Sequence, residues 1–204
     1  MEKPLIKQRR KPVQSRSIAR FHAILDASSR VLEKHAFERV TMSEIVLESE
    51  QPYATIYQYF SSKEDIYYAW LERLIDRSLG GLTALTRQPQ KKLVSEYIES
   101  PVRYALAQLI ENRQTLLALF SGMPLTAPMM AELMESKTLL WMEEALGSEF
   151  MGNMPPNFKE NLLTAIRVGN GYWLQEALNH KRDINIERES MQFAAIIRVL
   201  LSSG

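Results

Sequence analysis

Residues Thr41 to Lys63 read TMSEIVLESEQPYATIYQYFSSK, and this stretch decides the fold. Thr41 is a suitable N-cap residue. Glu44 lies three residues later, which is the spacing of a capping box, where hydroxyl and carboxylate satisfy each other's backbone donors. A short helix is therefore predicted to begin after Thr41. Its apolar residues recur at three- and four-residue spacing and are expected to face inward: Met42, Ile45 and Val46.

A polar break separates this helix from a second helix that is rich in tyrosine. Residues 48–51 interrupt the apolar pattern, and Pro52 then suits the first position of a helix because its missing N–H would have no partner there. Ile56 and Phe60 give the second helix a narrow buried edge. A helix this short and polar is not stable alone, so the pair is interpreted as a helix-turn-helix that presents its second helix to a DNA major groove.

Several positions across three predicted helices coincide with one known pattern. They are ILDA at 24–27, Phe37, Thr41, Ile45, ATIYQYF at 54–60 and SKEDI at 62–66. This set resembles the TetR/AcrR family of bacterial transcriptional regulators over roughly the first third of the chain. The resemblance implies an all-α fold, in which an N-terminal three-helix helix-turn-helix DNA-binding domain is joined to a C-terminal helical ligand-binding and dimerisation domain.

The sequence departs from the family pattern at two turns. Ala36 stands where the family usually has Gly at the end of the first helix, and a left-handed conformation there would cost about 1 kcal/mol. Residues 49–51, Ser-Glu-Gln, replace an Ala-Gly-Val turn. Glu50 is also unfavourable close to DNA, since both are negatively charged.

The composition is that of an ordinary soluble globular protein. The chain has 204 residues, 46% of them apolar, and a formal net charge of +1. No apolar run approaches the ~18 residues of a membrane helix, and the first residues lack the apolar core of a signal peptide. We therefore expect a cytoplasmic, nucleoid-associated protein without a membrane partner. The absence of cysteine excludes disulfides and thiolate metal sites.

Positive charge is concentrated at the N-terminus. Residues 1–20 carry seven Lys and Arg against Glu2 alone, whereas residues 21–67 carry four against eight Asp and Glu. A basic terminus can simply be a solvated arm. Beside a helix-turn-helix it can also lie along the DNA backbone or enter the minor groove, and it would then supply most of the attraction to phosphate.

The predicted organisation has three parts: a basic arm at 1–16, the helix-turn-helix domain at 17–66 and the helical ligand-binding and dimerisation domain at 67–204. Ser15 or Ser17 is predicted to cap a first helix whose inward face contains Ile18, Phe21, Leu25, Ser28 and Leu32. Ser61 or Ser62 is predicted to cap a fourth helix, which reaches Gly80 and belongs to both domains. The rest reads as helix: 91–110 with Pro101 as a possible kink, 114–122, 127–146, 158–180 and 186–201.

Two features of the C-terminal part point to binding surfaces. Seven of the ten methionines fall between Met123 and Met154; they are either ordinary core or the lining of an adaptable apolar pocket. The candidate effector-binding residues are Trp70, Tyr104, Phe120, Met134 and Trp141.

The run from Ile166 to Leu178 resembles the family's penultimate helix, which pairs with the last helix across a two-fold axis. The candidate dimer-interface residues are Ala165, Val168, Gly171, Tyr172, Ile196 and Leu200. The close Gly169 and Gly171 indicate tight packing, within one subunit or between two.

No pattern indicates an enzyme, a metal ligand set or a cofactor. Gly169 and Gly171 form the only GxG, and it lies inside a predicted helix rather than after a strand. The sequence is interpreted as a regulator, a repressor that a small apolar or amphipathic effector releases from a palindromic operator, acting as a homodimer. The alternative is a helical ligand-binding or interaction module whose helix-turn-helix no longer binds DNA.

The candidate DNA-binding residues fall into three groups. The basic arm contributes Arg9, Arg10, Lys11 and Arg16. The exposed start of the second helix offers Gln51, Tyr53 and Thr55 to base edges. Phosphate contacts are expected from Thr41, Tyr57, Tyr59 and Lys63, where Tyr57 and Lys63 follow from the resemblance. For each tyrosine the competing interpretation is a packed aromatic ring, above all for Tyr59, which stands beside Phe60.

Overall fold

The computed structural model describes residues 12–86, 99–123, 127–141, 144, 156–178 and 184–202. These residues contain helices and no strand, which confirms the all-α prediction. The helices are α1 (Ser15–Lys34), α2 (Met42–Ser49), α3 (Tyr53–Tyr59), α4 (Lys63–Thr86), α5 (Glu99–Glu111), α6 (Arg113–Gly122), α7 (Ala127–Trp141), α8 (Phe158–Leu178) and α9 (Ile186–Ser202). A 3-10 turn, Phe37–Arg39, lies between α1 and α2.

The chain divides into two compact units. The first comprises Met1–Leu74 and Gln114–Leu125, and the second comprises Ile75–Arg113 and Thr126–Gly204. The boundary falls inside α4, so that this helix contributes its first half to one unit and its second half to the other.

The core of the first unit is built around α1. Its buried face includes Phe21, Leu25, Ser28 and Leu32, as predicted, whereas Ile18 is exposed. Ser28 is tolerated in this core because its hydroxyl donates to the Leu25 carbonyl at 2.8 Å. The prediction of a serine cap was wrong: the N-cap is Gln14, whose side chain makes no capping hydrogen bond.

The start of α4 and the junction between α1 and α2 follow from local chemistry. Ser62 is confirmed as a cap, since its hydroxyl accepts from the Asp65 N–H at 3.2 Å while the Asp65 carboxylate accepts from the Ser62 N–H at 3.2 Å. The junction between α1 and α2 avoids the costly left-handed conformation at Ala36. Ala36 has φ −62° and ψ 147°, an extended conformation that any residue adopts, and it leads directly into the 3-10 turn.

The second unit has its own apolar core where α5, α8 and α9 meet. Val102, Leu106, Ala165, Phe193 and Ile197 form it. Pro101 is the third residue of α5, in its first turn, where a proline removes no hydrogen bond within the helix. The predicted helical residues 91–98 lie outside the described part of the chain.

Polar contacts tie α7 to α4 and to α8 within the second unit. Trp141 Nε1 donates to Thr83 Oγ1 at 2.7 Å, and Lys137 pairs with Asp76 at 3.0 Å. Arg167 pairs with Glu135 at 2.7 Å. Among the helices of the described residues, none has the length and apolar character that crossing a bilayer requires.

Candidate functional site

The start of α2 is held by a complete capping box. Thr41 Oγ1 accepts from the Glu44 N–H at 3.3 Å, and Glu44 Oε2 accepts from the Thr41 N–H at 2.8 Å. The Thr41 hydroxyl also donates to Glu44 Oε2 at 2.9 Å. The hydrogen bond from the Thr41 backbone, followed by that from its side chain, lowers the pKa of Glu44. The predicted cap is confirmed, and Glu44 is held in its charged form.

The turn between α2 and α3 depends on an unusual backbone conformation. Glu50 ends α2 with φ 54° and ψ 22°, in the left-handed region. The next residue, Gln51, is tied to Ser49, since its backbone N–H donates to the Ser49 hydroxyl at 3.4 Å and its amide to the Ser49 carbonyl at 3.4 Å. Pro52, predicted as the first helical residue, is the N-cap of α3, so the helix begins one residue later than predicted.

The inner edge of α3 anchors it to the first unit. Ile56 and Phe60 are fully buried, as predicted. Tyr59 is also buried, with 6% of its surface exposed, and its ring meets that of Phe21 edge-on at 5.7 Å. At the other end of the helix, the Tyr53 hydroxyl donates to the Ser43 hydroxyl of α2 at 2.7 Å. The orientation of α3 against α2 is therefore fixed at both ends.

The outer face of α3 is exposed and carries no charge. Tyr53 and Tyr57, one turn apart, are 47% and 39% exposed, and their rings stack with centroids 6.4 Å apart and an interplanar angle of 13°. Ala54 and Gln58 are exposed beside them. These four side chains form what we call the α3 face. Thr55 is half-buried at its border.

Acidic residues of α2 are largely neutralised inside the domain. Glu48 accepts from Arg30 at 2.8 Å and from Lys34 at 2.9 Å, both on α1. The hydrogen bond from Arg30, followed by that from Lys34, lowers the pKa of Glu48. The charge of Glu48 is thus compensated next to the turn that carries Glu50.

A second exposed surface lies on the last two helices. Large apolar side chains of α8 and α9 are exposed on it: Val168, Tyr172, Met191, Ile196 and Val199. We call these residues the α8–α9 surface. Tyr172 is tied to α9, since its hydroxyl donates to the buried carboxylate of Glu189 at 2.8 Å, which also accepts from Arg188 at 3.0 Å.

Comparison with known proteins identifies the first unit. Residues 24–69, which include α2, α3 and the turn between them, match the family model described as bacterial regulatory proteins, tetR family. Residues 24–69 are thus similar to the TetR family of bacterial regulators.

Solved structures of regulatory proteins share the fold over most of the chain. The fatty acid degradation regulator FadR from Bacillus halodurans has 16% identity and a TM-score of 0.63, over 95% of this chain and 98% of that one. The repressor AlkX from a Dietzia strain, implicated in biodegradation of n-alkanes, has 16% identity and a TM-score of 0.63, over 88% and 96%. DhaS, a dihydroxyacetone kinase operon activator, has 12% identity and a TM-score of 0.61, over 90% and 97%. No curated protein matches the sequence significantly.

Lys63, which the TetR-family pattern offers as a phosphate contact, makes three bonds to its own domain. Its ammonium group donates to the carbonyls of Phe37 at 2.7 Å, Val40 at 3.0 Å and Glu38 at 3.4 Å. It also lies 4.5 Å from the centroid of the Phe37 ring. An ammonium group has three donors, so in this arrangement Lys63 closes the turn between α1 and α2.

The other predicted DNA-binding residues differ in accessibility. Tyr53 and Tyr57 lie on the α3 face, Thr41 and Arg16 are exposed, and Gln51 is half-buried. The burial of Tyr59 favours the packed interpretation over a phosphate contact. Arg9, Arg10 and Lys11 lie outside the described residues. Ala54 and Gln58 were not among the predicted DNA-binding residues. They lie one helical turn apart, so helical periodicity places them on the same face of α3.

The predicted effector-binding residues are divided between the two units. Trp70, which is buried, and Phe120, which is half-buried, belong to the first unit. Tyr104, Met134 and Trp141 are half-buried in the second, where Trp141 holds Thr83 through the bond given above. Within the described residues, no group of three or more His, Asp or Glu side chains could hold a metal ion.

The predicted dimer-interface residues also separate into two classes. Val168, Gly171, Tyr172 and Ile196 are exposed. Ala165 is fully buried in the subunit's own core, and Leu200 packs against that core. A Cβ atom at Gly169 would collide with the Phe193 ring of α9, whereas one at Gly171 would meet nothing within 4 Å. Gly169 therefore serves packing inside the subunit, and Gly171 faces outward.

Proposed function

We propose that this regulator binds a palindromic operator as a homodimer and represses transcription until a small apolar or amphipathic effector releases it. The observation that carries the proposal is the α3 face. It is an exposed, uncharged helix surface of two stacked tyrosines, an alanine and a glutamine, held in fixed orientation by the Tyr53–Ser43 bond and the buried Ile56 edge. A rigidly presented helix of this kind suits a major groove.

The α8–α9 surface supports the homodimer. Five large apolar side chains are exposed on two helices, and they are the kind of residue that a symmetric interface buries. The outward-facing Gly171 allows a partner helix to approach closely. Two copies related by a two-fold axis would then present two α3 helices to half-sites about one helical turn apart.

The proposed effector acts through α4, because this helix spans the boundary between the units at Leu74 and Ile75. An effector that binds one conformation of the second unit better than another shifts the population of DNA-binding dimers by the difference in affinity. The regulators of fatty acid degradation and of n-alkane biodegradation that share this fold make fatty acids and n-alkanes the first compounds to test.

A gel-shift assay tests the proposal directly. The purified protein is titrated onto the DNA upstream of its own gene and onto a scrambled duplex of equal length, at two salt concentrations. We expect a specific shift that weakens as salt rises, since phosphate contacts release counterions, and that recedes when effector is added. Transcription from the same promoter, with the gene deleted and restored, gives the direction of regulation; lower transcription on deletion would indicate an activator.

One observation favours a second candidate function, a ligand-binding or interaction module that no longer binds DNA. Two expected phosphate contacts are engaged internally, Lys63 by three carbonyls and Thr41 by Glu44. If no DNA sequence is selected from a random pool at low salt while ligands still raise the melting temperature, this second candidate replaces the first.

A further inference from the structure

The α3 face has a chemistry that distinguishes between base pairs. The segment Tyr53–Tyr59, YATIYQY, contains no Arg, Lys, Asp or Glu. Guanine is most often read by the bidentate donors of Arg or Lys, and cytosine by a carboxylate that accepts from its amino group. The helix carries none of these groups, so it lacks the usual means of selecting a G·C pair.

What the face does carry matches an A·T pair. Gln58 is exposed, and a glutamine amide can accept from N6 and donate to N7 of adenine at the same time. Ala54 lies one turn before it on the same side of the helix and is also exposed. An alanine methyl group makes apolar contact with the C5-methyl group of thymine.

The tyrosines beside this row limit what else the face can read. The Tyr53 hydroxyl is already donated to Ser43 at 2.7 Å, and its ring stacks on that of Tyr57. Tyr53 therefore presents ring surface rather than a free donor, which is a further apolar contact for a thymine methyl group. Gln51, just before the helix, is held by Ser49.

We propose that α3 selects A·T pairs at neighbouring positions of each half-site, with Gln58 reading adenine and Ala54 contacting a thymine methyl group. This inference rests on the proposed function, since it presupposes that the α3 face enters a major groove. Gln58 and Ala54 are then the residues that determine specificity.

Selection from a random duplex pool, followed by binding measurements on the selected half-site, tests the inference. Replacing the contacted A·T pair by G·C should weaken wild-type binding by about 10-fold. Gln58→Ala should lose this discrimination, and Gln58→Arg should reverse it toward guanine. Replacing the contacted thymine by uracil removes only the methyl group. This change should weaken the binding of the wild-type protein several-fold and leave the affinity of the Ala54→Gly variant unchanged.

The outcomes separate this inference from the proposed function. Specific binding with G·C pairs at the positions that respond to Gln58 would overturn the inference and leave the regulator intact. The same holds if Gln58→Ala weakens binding to all sequences equally. If no sequence is selected at all, the proposed function fails first. Circular dichroism of each variant shows whether the helix fold is retained, and Gln58→Arg keeps the test valid because it predicts a gain of binding to a new site.

Discussion

Glu50 is the one non-glycine residue with positive φ in the described part of the chain. An L-residue in the left-handed region carries a cost of roughly 1–2 kcal/mol, which glycine avoids. The cost falls at the turn of the helix-turn-helix, where the side chain is also a carboxylate near the expected path of the DNA. Strain and charge are thus combined at one residue, and two substitutions can separate them.

Glu50→Gly should raise both stability and DNA affinity. It relieves the strained φ, and the gain of up to about 1 kcal/mol is partly offset by the greater freedom of glycine in the unfolded chain. Glu50→Gln is the matched control, since it removes the charge and keeps the strain. We expect both variants to bind DNA more tightly at low salt, whereas only Glu50→Gly should raise the melting temperature. Equal melting temperatures would contradict the strain argument.

Lys63 offers a choice between two physical roles. If it closes the turn between α1 and α2, Lys63→Met removes the ammonium donor from the Val40 carbonyl and leaves the Phe37 carbonyl with only the Val40 N–H. The domain should then lose about 1–3 kcal/mol of stability. The dependence of DNA affinity on salt should then stay unchanged. A phosphate contact would give the opposite result, with unchanged stability and a salt slope lower by roughly 0.9. Lys34→Met is the control, because Lys34 forms an exposed ion pair and should affect stability little.

At the scale of the elements, the helices and caps that depend on local chemistry were predictable. Thr41 with Glu44 and the cap at Ser62 are contacts between residues three apart, so spacing in the sequence is enough to find them. The buried edge of Ile56 and Phe60 follows from helical periodicity in the same way. Residue spacing and periodicity are together sufficient to identify the helix-turn-helix.

Features that depend on distant residues were not predictable from spacing. The bonds of Lys63 to Phe37 and Val40 join residues 26 and 23 positions apart, and the burial of Tyr59 depends on Phe21 of α1. The left-handed conformation occurs at Glu50, whereas Ala36 avoids its cost because the short 3-10 turn closes the first junction without it.

Gly169 permits the close approach of α8 and α9. Gly169→Ala should destabilise the second unit by about 1–3 kcal/mol, since the added methyl group collides with the Phe193 ring. Gly171→Ala is the matched variant, two residues along the same helix with open space around it. The monomer of the Gly171→Ala variant should be more stable than the wild-type monomer by up to about 1 kcal/mol, because alanine has a higher helix propensity than glycine. The melting temperatures of the two variants are compared at protein concentrations at which the dimer is dissociated. Equal changes in melting temperature would show that the Phe193 ring moves aside.

The basic arm is the element that should dominate attraction to phosphate, since the helix-turn-helix itself is acidic. Removing residues 1–13 takes away Lys3, Lys7, Arg9, Arg10 and Lys11 and leaves α1 with its N-cap, Gln14. Affinity should fall strongly, and the salt slope should flatten by roughly 0.9 for each phosphate that the arm neutralises in the intact protein. Helicity and dimerisation should be unchanged. A full-length variant with these five residues changed to Gln is the control for chain length, and an unchanged slope would refute the role of the arm.

At the scale of the whole molecule, binding a palindrome requires two copies of the α3 face in fixed register, and the α8–α9 surface is the described surface best suited to provide that register. Val199→Glu places a charge on this surface at a residue that is 64% exposed in the subunit. A solvent-exposed change should leave the subunit folded, but a carboxylate buried between two copies lacks a partner and should dissociate the dimer.

The measurement is the mass of the protein in solution by sedimentation, together with its affinity for the full operator and for a single half-site. Val199→Glu should be monomeric, keep its circular dichroism spectrum, and lose most of its preference for the full operator because the two half-sites are no longer bound together. Leu140→Glu is the matched control, since Leu140 is 54% exposed on α7, outside the α8–α9 surface. It should remain dimeric. If Val199→Glu is dimeric, or if Leu140→Glu dissociates, the dimer interface does not lie on α8 and α9. These two helices would then not set the register of the two α3 helices.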